Sequence, residues 1–203
     1  MKNWLIIQAS KAKKFGSEKV VTMTLTKLND LLMTSLLDIV GPEKSLQMVF
    51  EGGVQLGHEF MMELSAHLEP DVGRIPAYGE AAWIMFSGHK PTEQTLEEIE
   101  IDGKEAHLYT FTDDDSPWCR DISFPHKFCQ FPAGAYQGAA QTWSMLTRDS
   151  EYNILSRETK CRAAGDNYCE FQVYFIPQEI DLTTVKETYP HLFEEISTGF
   201  SVY

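Results

Sequence analysis

The sequence predicts an α+β fold, an antiparallel four-stranded sheet packed with helices. Two patterns lead there. Helical periodicity dominates the chain up to Phe86, and extended segments then flank an Asp102-Gly103 pair. A small-residue helix separates that hairpin from two further strands, an order that places helices against one antiparallel sheet.

Taken in order, Leu28, Leu31, Leu32, Leu36 and Ile39 recur at helical spacing over Leu28 to Val40. Gly41-Pro42 stops that helix, as Gly and Pro just past a helix end do. A second helix spans about Glu43 to Leu68, with Leu46, Val49, Phe50, Val54, Phe60, Met61 and Leu64 as its apolar side. Gly52, Gly53 and Gly57 cost such a helix about 1 kcal/mol each relative to Ala. Close approach of another backbone explains them, and a break in the helix is the alternative. Tyr78 to Phe86 forms a third helix, with Trp83 and Phe86 turned inward.

Thr95 to Ile101 and Ala106 to Thr112 read as strands around Asp102-Gly103, a turn pair favoured in hairpins. A loop rich in acids and aromatics follows, from Asp113 to Phe131; its Asp113-Asp114-Asp115 triplet reads as solvated. Ala133 to Leu146 is helical and lined with Gly134, Gly138 and alanines, a face that can lie very close to a sheet or a partner helix. Glu151 to Arg157 and Cys169 to Ile176 complete the sheet, and the tail after Pro177 is a short amphipathic piece packed outside. The chain thus divides into an N-terminal helical part, 1–79, an α/β part carrying the site, 80–176, and an extension, 177–203. The first two form one compact domain.

The formal net charge is -13, with only 17 Lys and Arg, and the sole dense basic stretch is Lys11, Lys13 and Lys14. A nucleic-acid binder needs concentrated cationic surface to displace counterions, so direct binding is not expected. No apolar run approaches the roughly 20 residues that cross a bilayer. Trp4 to Ile7 is too short for a signal-peptide core, so the expected location is cytoplasmic. There Cys119, Cys129, Cys161 and Cys169 should be reduced, and metal ligation is a better default than disulfide bonding.

The most informative stretch runs from Glu158 to Phe171. Glu158 ends one predicted strand, Cys169 opens the next, and the loop turns at Gly165-Asp166, which brings Glu158, Cys161 and Cys169 together. Two thiolates and a carboxylate are three of the four ligands tetrahedral zinc prefers, and Cys129 is the natural fourth. His126, three residues before Cys129, and Cys119, ten before it, are further candidates for a ligand position or for a pocket wall. Asp166 is read as a turn former.

These residues resemble the 4-vinyl reductase (4VR) domain family. The matching pieces are Cys129, Phe131, Gly134 with Gly138, Glu158 with Cys161, Gly165-Asp166, and Cys169 with Phe171. The likeness covers roughly residues 80 to 176, and the connection near Arg148 to Ser150 is longer than in the phenol-sensing members. The resemblance implies a structural Zn²⁺ held by Cys129, Glu158, Cys161 and Cys169, beside a buried pocket for a small apolar or aromatic ligand. It implies a fold similar to that of transport-particle (TRAPP) subunits, and a homodimer. It also implies a hydrocarbon-binding sensory role, here in a stand-alone domain signalling through a partner or dimer.

The pocket candidates are Trp83, Phe86, Trp118, Cys119, His126, Phe131 and Tyr136, which serve equally as core. Whether the chain is an enzyme stays open, with the balance towards none. Similar motifs occur in thiazoline-ring hydrolases, and a catalytic zinc would keep three protein ligands and a water. An iron–sulfur cluster on all four cysteines is a third reading, against which the spacing speaks.

Overall fold

Strand order β1-β2-β4-β3 makes a single antiparallel four-stranded sheet from Glu93–Ile101 (β1), Lys104–Asp113 (β2), Tyr152–Lys160 (β3) and Cys169–Pro177 (β4). The computed structural model describes residues 27, 31–32, 35–120, 122–124, 126–147 and 152–190. The expectations placed on Trp4 to Ile7, on Lys11 to Lys14, on the Arg148–Ser150 connection and on part of the 28–40 helix lie outside these residues, as does the end of the 177–203 extension.

Residues 35–40 are helical and the chain breaks at Gly41, whose φ of 83° is easy only for glycine. Pro42 then opens α1, Pro42–Leu64, at the first-turn position where a missing N–H costs nothing. The predicted extension to Leu68 becomes a short 3₁₀ turn, Ser65–His67. Helix α2, Ile75–Ser87, begins around Pro76 and ends at Gly88 in the left-handed conformation. Asp102 (φ 51°) and Gly103 (φ 72°) turn the β1–β2 hairpin with Ile101 opposite Lys104. Two positive φ values in succession match the right-handed twist of the flanking strands.

Helix α3, Gln130–Thr147, lies between α1 and the sheet. A Cβ on Gly53 or Gly57 would strike the carbonyl oxygens of Phe131 and Ala135, and one on Gly134 or Gly138 those of Phe50 and Val54. The two backbones are in mutual contact at four glycines, so the small-residue face of α3 is spent on α1 within the same chain. On the sheet face below the helices, Trp83, Phe111, Tyr136 and Phe171 form a buried aromatic stack, with Phe111 and Phe171 centroids 4.9 Å apart. On the opposite face Ile180, in the turn after β4, and Val185, on a short helix α4, Leu182–Thr188, pack with Ile101, Leu155, Tyr174 and Ile176. Among the described residues no helix is long and apolar enough to cross a membrane.

Candidate metal centre

Cys129, Cys161 and Cys169 are each held at the end or beginning of an element, and Cys119 lies in the connection between β2 and α3. Cys119 follows β2 in a segment of turns, and its carbonyl accepts from Ile122 N at 3.3 Å. Cys129 directly precedes α3, and its carbonyl accepts from Ala133 N. Cys161 leaves β3, and Cys169 opens β4 opposite Asp113. Between the last two, Asp166 closes the loop: its Oδ2 accepts from Cys161 N at 2.8 Å while its own N–H donates to Cys161 O. Gly165, at φ 105°, permits that reversal.

The four sulfurs all lie within 4.8 Å of one another. Cys119 Sγ stands 3.1 Å and Cys129 Sγ 3.9 Å from Cys169 Sγ, and Phe128 N donates to Cys161 Sγ at 3.3 Å. None of the four residues is more than 2% exposed, so water does not compete at the sulfurs. Zinc–sulfur bonds of about 2.3 Å in a tetrahedron set sulfur–sulfur edges of roughly 3.8 Å; the Cys129–Cys169 separation matches this, and the Cys119–Cys169 separation is shorter. Four buried cysteines are therefore close enough to bind a metal ion.

Crowding the sulfurs splits their acidities. Hydrogen bonds from Cys119, then Cys129 and Cys169, hold the Cys161 thiol well below the usual range, and the hydrogen bond with Cys129 lowers Cys119. Burial pushes Cys129 up, and the hydrogen bond with Cys119 raises Cys169. Donation from neighbouring S–H groups favours the thiolate at Cys161, and the thiolate is the form a metal ligand needs.

Glu158 projects from β3 towards this cluster. Its Oε2 accepts from Cys129 N at 2.8 Å, its carboxyl lies against the Cys161 and Cys129 thiols, and it is 1% exposed. Burial, then the charge of Cys161, raises its pKa well above the usual carboxylate range. Of the sequence-predicted ligands, Cys129, Cys161 and Cys169 come together with Cys119, and Glu158 stands beside them.

The residues proposed for a pocket are spread more widely. Trp83 is wholly buried and donates to Asp113 Oδ2 at 2.9 Å, while Phe86 packs on Phe60. Trp118 lies on Phe131 with centroids 5.4 Å apart, Cys119 belongs to the thiol cluster, and His126 is exposed with its ring against Phe124. Tyr136 lines a cavity of about 40 Å³ between α2, α3 and the sheet. Its other walls include Tyr78, Tyr109, Trp143 and Phe175. Alternation along β2 and β4 puts Tyr109 and Phe175 on the helix-facing side, the signal that identifies them.

Asp113 also departs from expectation. It is fully buried as the last residue of β2, whereas Asp114 and Asp115 are exposed. Its carboxylate takes hydrogen bonds from Trp83 Nε1, from Asp115 N and from His89 Nε2 at 3.0 Å. A buried carboxylate needs such partners, and the linear sequence carries no sign of them.

No family model matches the chain, and no curated protein matches it. Solved structures do. A trafficking protein particle complex subunit 3 from Naegleria fowleri, covalently bound to palmitic acid, is 17% identical and superposes with a TM-score of 0.57. The match covers 77% of this chain and 96% of that chain. The fold is shared. The phenol-responsive sensory domain of the transcription activator PoxR, with phenol, is 16% identical over 85% of this chain and 81% of that one, with a TM-score of 0.47. A vinyl-4-reductase family protein from Methanocaldococcus jannaschii is 19% identical over 84% and 92%, with a TM-score of 0.41.

Proposed function

We propose that this chain is a small-molecule-binding sensory domain built around a structural zinc ion held by Cys119, Cys129, Cys161 and Cys169. The observation that carries the proposal is the convergence within 4.8 Å of four buried sulfurs, from the β2–α3 connection, the start of α3, the end of β3 and the start of β4. Zinc supplies a cross-link that replaces repulsion among anionic sulfurs with bonds. Four protein thiolates fill a tetrahedral sphere and leave no position for a reactive water, which favours a sensor over a hydrolase. The spacing also suits one ion, because a multi-iron cluster interposes its own irons and sulfides between the thiolates.

The ligand side of the proposal rests on α3. Its first turn begins at Cys129, and its Tyr136, Ala139, Ala140 and Trp143 line the apolar cavity. A cavity of about 40 Å³ is small, so a ligand of aromatic size enters by displacing side chains. Such displacement moves the helix that the metal centre anchors, and that movement is the signal passed to a partner or a second copy. The transport-particle subunit of this fold carries palmitic acid, so the ligand screen includes fatty acyl compounds beside phenols and hydrocarbons. The intimate contact of α1, Pro42–Leu64, with α3 supports counting the N-terminal helical part with 80–176 as one unit.

Purified protein should contain one equivalent of zinc per chain, be colourless, and gain thermal stability with one of these compound classes. Metal-free or brown protein would overturn the zinc reading. A screen of all three classes without a melting shift would overturn the sensory one.

A further inference from the structure

The cavity between α2, α3 and the sheet has aromatic walls that bear a polar atom, Tyr78, Tyr109, Tyr136 and Trp143. Each turns that atom onto a protein partner, as a buried polar group must. Tyr136 Oη donates to Gly79 O at 2.7 Å and Tyr109 Oη to Gln94 Oε1 at 2.9 Å, so both are tied to regular elements, α2 and β1. The other two converge on one residue outside any helix or strand. Glu69 N donates to Tyr78 Oη at 2.9 Å, and Trp143 Nε1 donates to Glu69 O at 3.1 Å.

Glu69 belongs to the connection from α1 to α2, residues 65–74, whose only regular pieces are the 3₁₀ turns Ser65–His67 and Val72–Arg74. The connection leaves and rejoins the fold at the cavity, because Met61 in the last turn of α1 and Ile75 at the start of α2 are both wall residues. It supplies no wall of its own and holds two walls in place. None of its residues is fully buried. Leu68 and Val72 rest on the core in part, and Arg74 pairs with the Glu69 carboxylate at 2.8 Å. A segment with so few buried contacts opens at low cost.

We infer that the 65–74 connection is a latch on the cavity: a ligand of aromatic size is admitted when Glu69 releases Tyr78 and Trp143, and the latch stays open while the ligand is inside. This rests on the ligand-site reading above. An apolar cavity that takes benzene measures about 150 Å³, so here, at about 40 Å³, the walls must move outwards. Tyr78 and Trp143 are the walls whose movement breaks bonds to an unburied connection, whereas moving Tyr109 or Tyr136 breaks bonds to β1 or α2. Occupancy of an interior cavity is thereby displayed at the surface, in the 65–74 connection.

The test uses fluorobenzene, titrated by ¹⁹F NMR into the unaltered full chain, Tyr78→Phe and Tyr136→Phe, with circular dichroism as the check on folding. Tyr78→Phe removes the acceptor for Glu69 N, so less binding energy goes into opening the latch. Fluorobenzene should then bind about 2–10-fold more tightly. Tyr136→Phe takes a hydroxyl from the same cavity but leaves the latch intact, so it should bring no gain. In the unaltered chain, saturation with fluorobenzene should speed hydrogen exchange at Glu69 N–H by about tenfold or more. Unchanged or weaker binding by Tyr78→Phe would overturn the inference. An equal gain in Tyr136→Phe would overturn it by tracing the gain to a less polar wall. Unaccelerated exchange at Glu69 in the saturated chain would overturn it, because the latch then closes around the ligand. An unaltered chain that takes up no fluorobenzene is a different result, which removes the ligand-site reading itself and this inference with it.

Discussion

The thiol of Cys119 lies 3.1 Å from that of Cys169, although 50 residues separate the two in the chain. Both are buried, and both face Cys129 and Cys161. Bringing four ionisable sulfurs into one dry volume is unfavourable unless protons or a cation compensate them.

Metal removal should therefore cost stability. A ligand that binds only the folded chain contributes about 4 kcal/mol at a thousandfold excess over its Kd. For a chain of this size that corresponds to a Tm shift of roughly 8–16 °C. Cys161→Ala and Cys169→Ala should each show this loss together with release of the metal, measured by calorimetry and elemental analysis. Metal-free and metal-loaded samples melting together would contradict the expectation.

The α1–α3 contact predicts opposite signs for neighbouring glycines. A Cβ at Gly52 meets only Phe131 Cε2 at 4.0 Å, so Gly52→Ala should stabilise the helix by about 0.5–1 kcal/mol. At Gly57 the Cβ would fall on Ala135 O, and Gly57→Ala should destabilise by about 1–3 kcal/mol despite the better helix propensity. Urea midpoints of the two variants on either side of the parent check both signs.

His89 should titrate above the usual histidine value of 6.5, because its hydrogen bond to Asp113 favours the imidazolium, with burial opposing. The folded pKa lies above the unfolded one, so this contribution to stability is complete below the unfolded pKa. It is lost as pH rises through the folded value. Ring-proton NMR gives the midpoint, and His89→Gln should remove this part of the pH dependence. A midpoint below 6.5 would contradict the bond.

The turn between the last two cysteines makes a local prediction. Gly165→Ala places a side chain at φ 105° and should cost about 1–2 kcal/mol. Asp166→Ala removes the acceptor for Cys161 N and should cost about 0.5–1.5 kcal/mol. Both should weaken metal retention in competition with a chelator, whereas an exposed neighbour such as Asn167→Ala should leave it unchanged.

Local signals carry the elements that the sequence determined by itself. Gly41-Pro42 must interrupt a helix and Asp102-Gly103 must turn a hairpin, because backbone sterics act within a few residues. Periodicity likewise marks Leu46, Val49, Phe50, Phe60 and Met61 as one buried face of α1. The interior glycines announce a close approach, and Glu158 to Cys169 announces a turn rich in metal donors.

What only the tertiary structure decided is partnership at a distance. Packing set α1 rather than a second chain against the glycines of α3. It brought Cys119 among the other three thiols, with Glu158 at their side. It buried Asp113 under Trp83 and His89, while its two acidic neighbours stayed in water. The physical reason is common to all three. Backbone preference acts between neighbours in the chain, whereas desolvation and sulfur–sulfur contact act between neighbours in space, which exist only after strands and helices have packed.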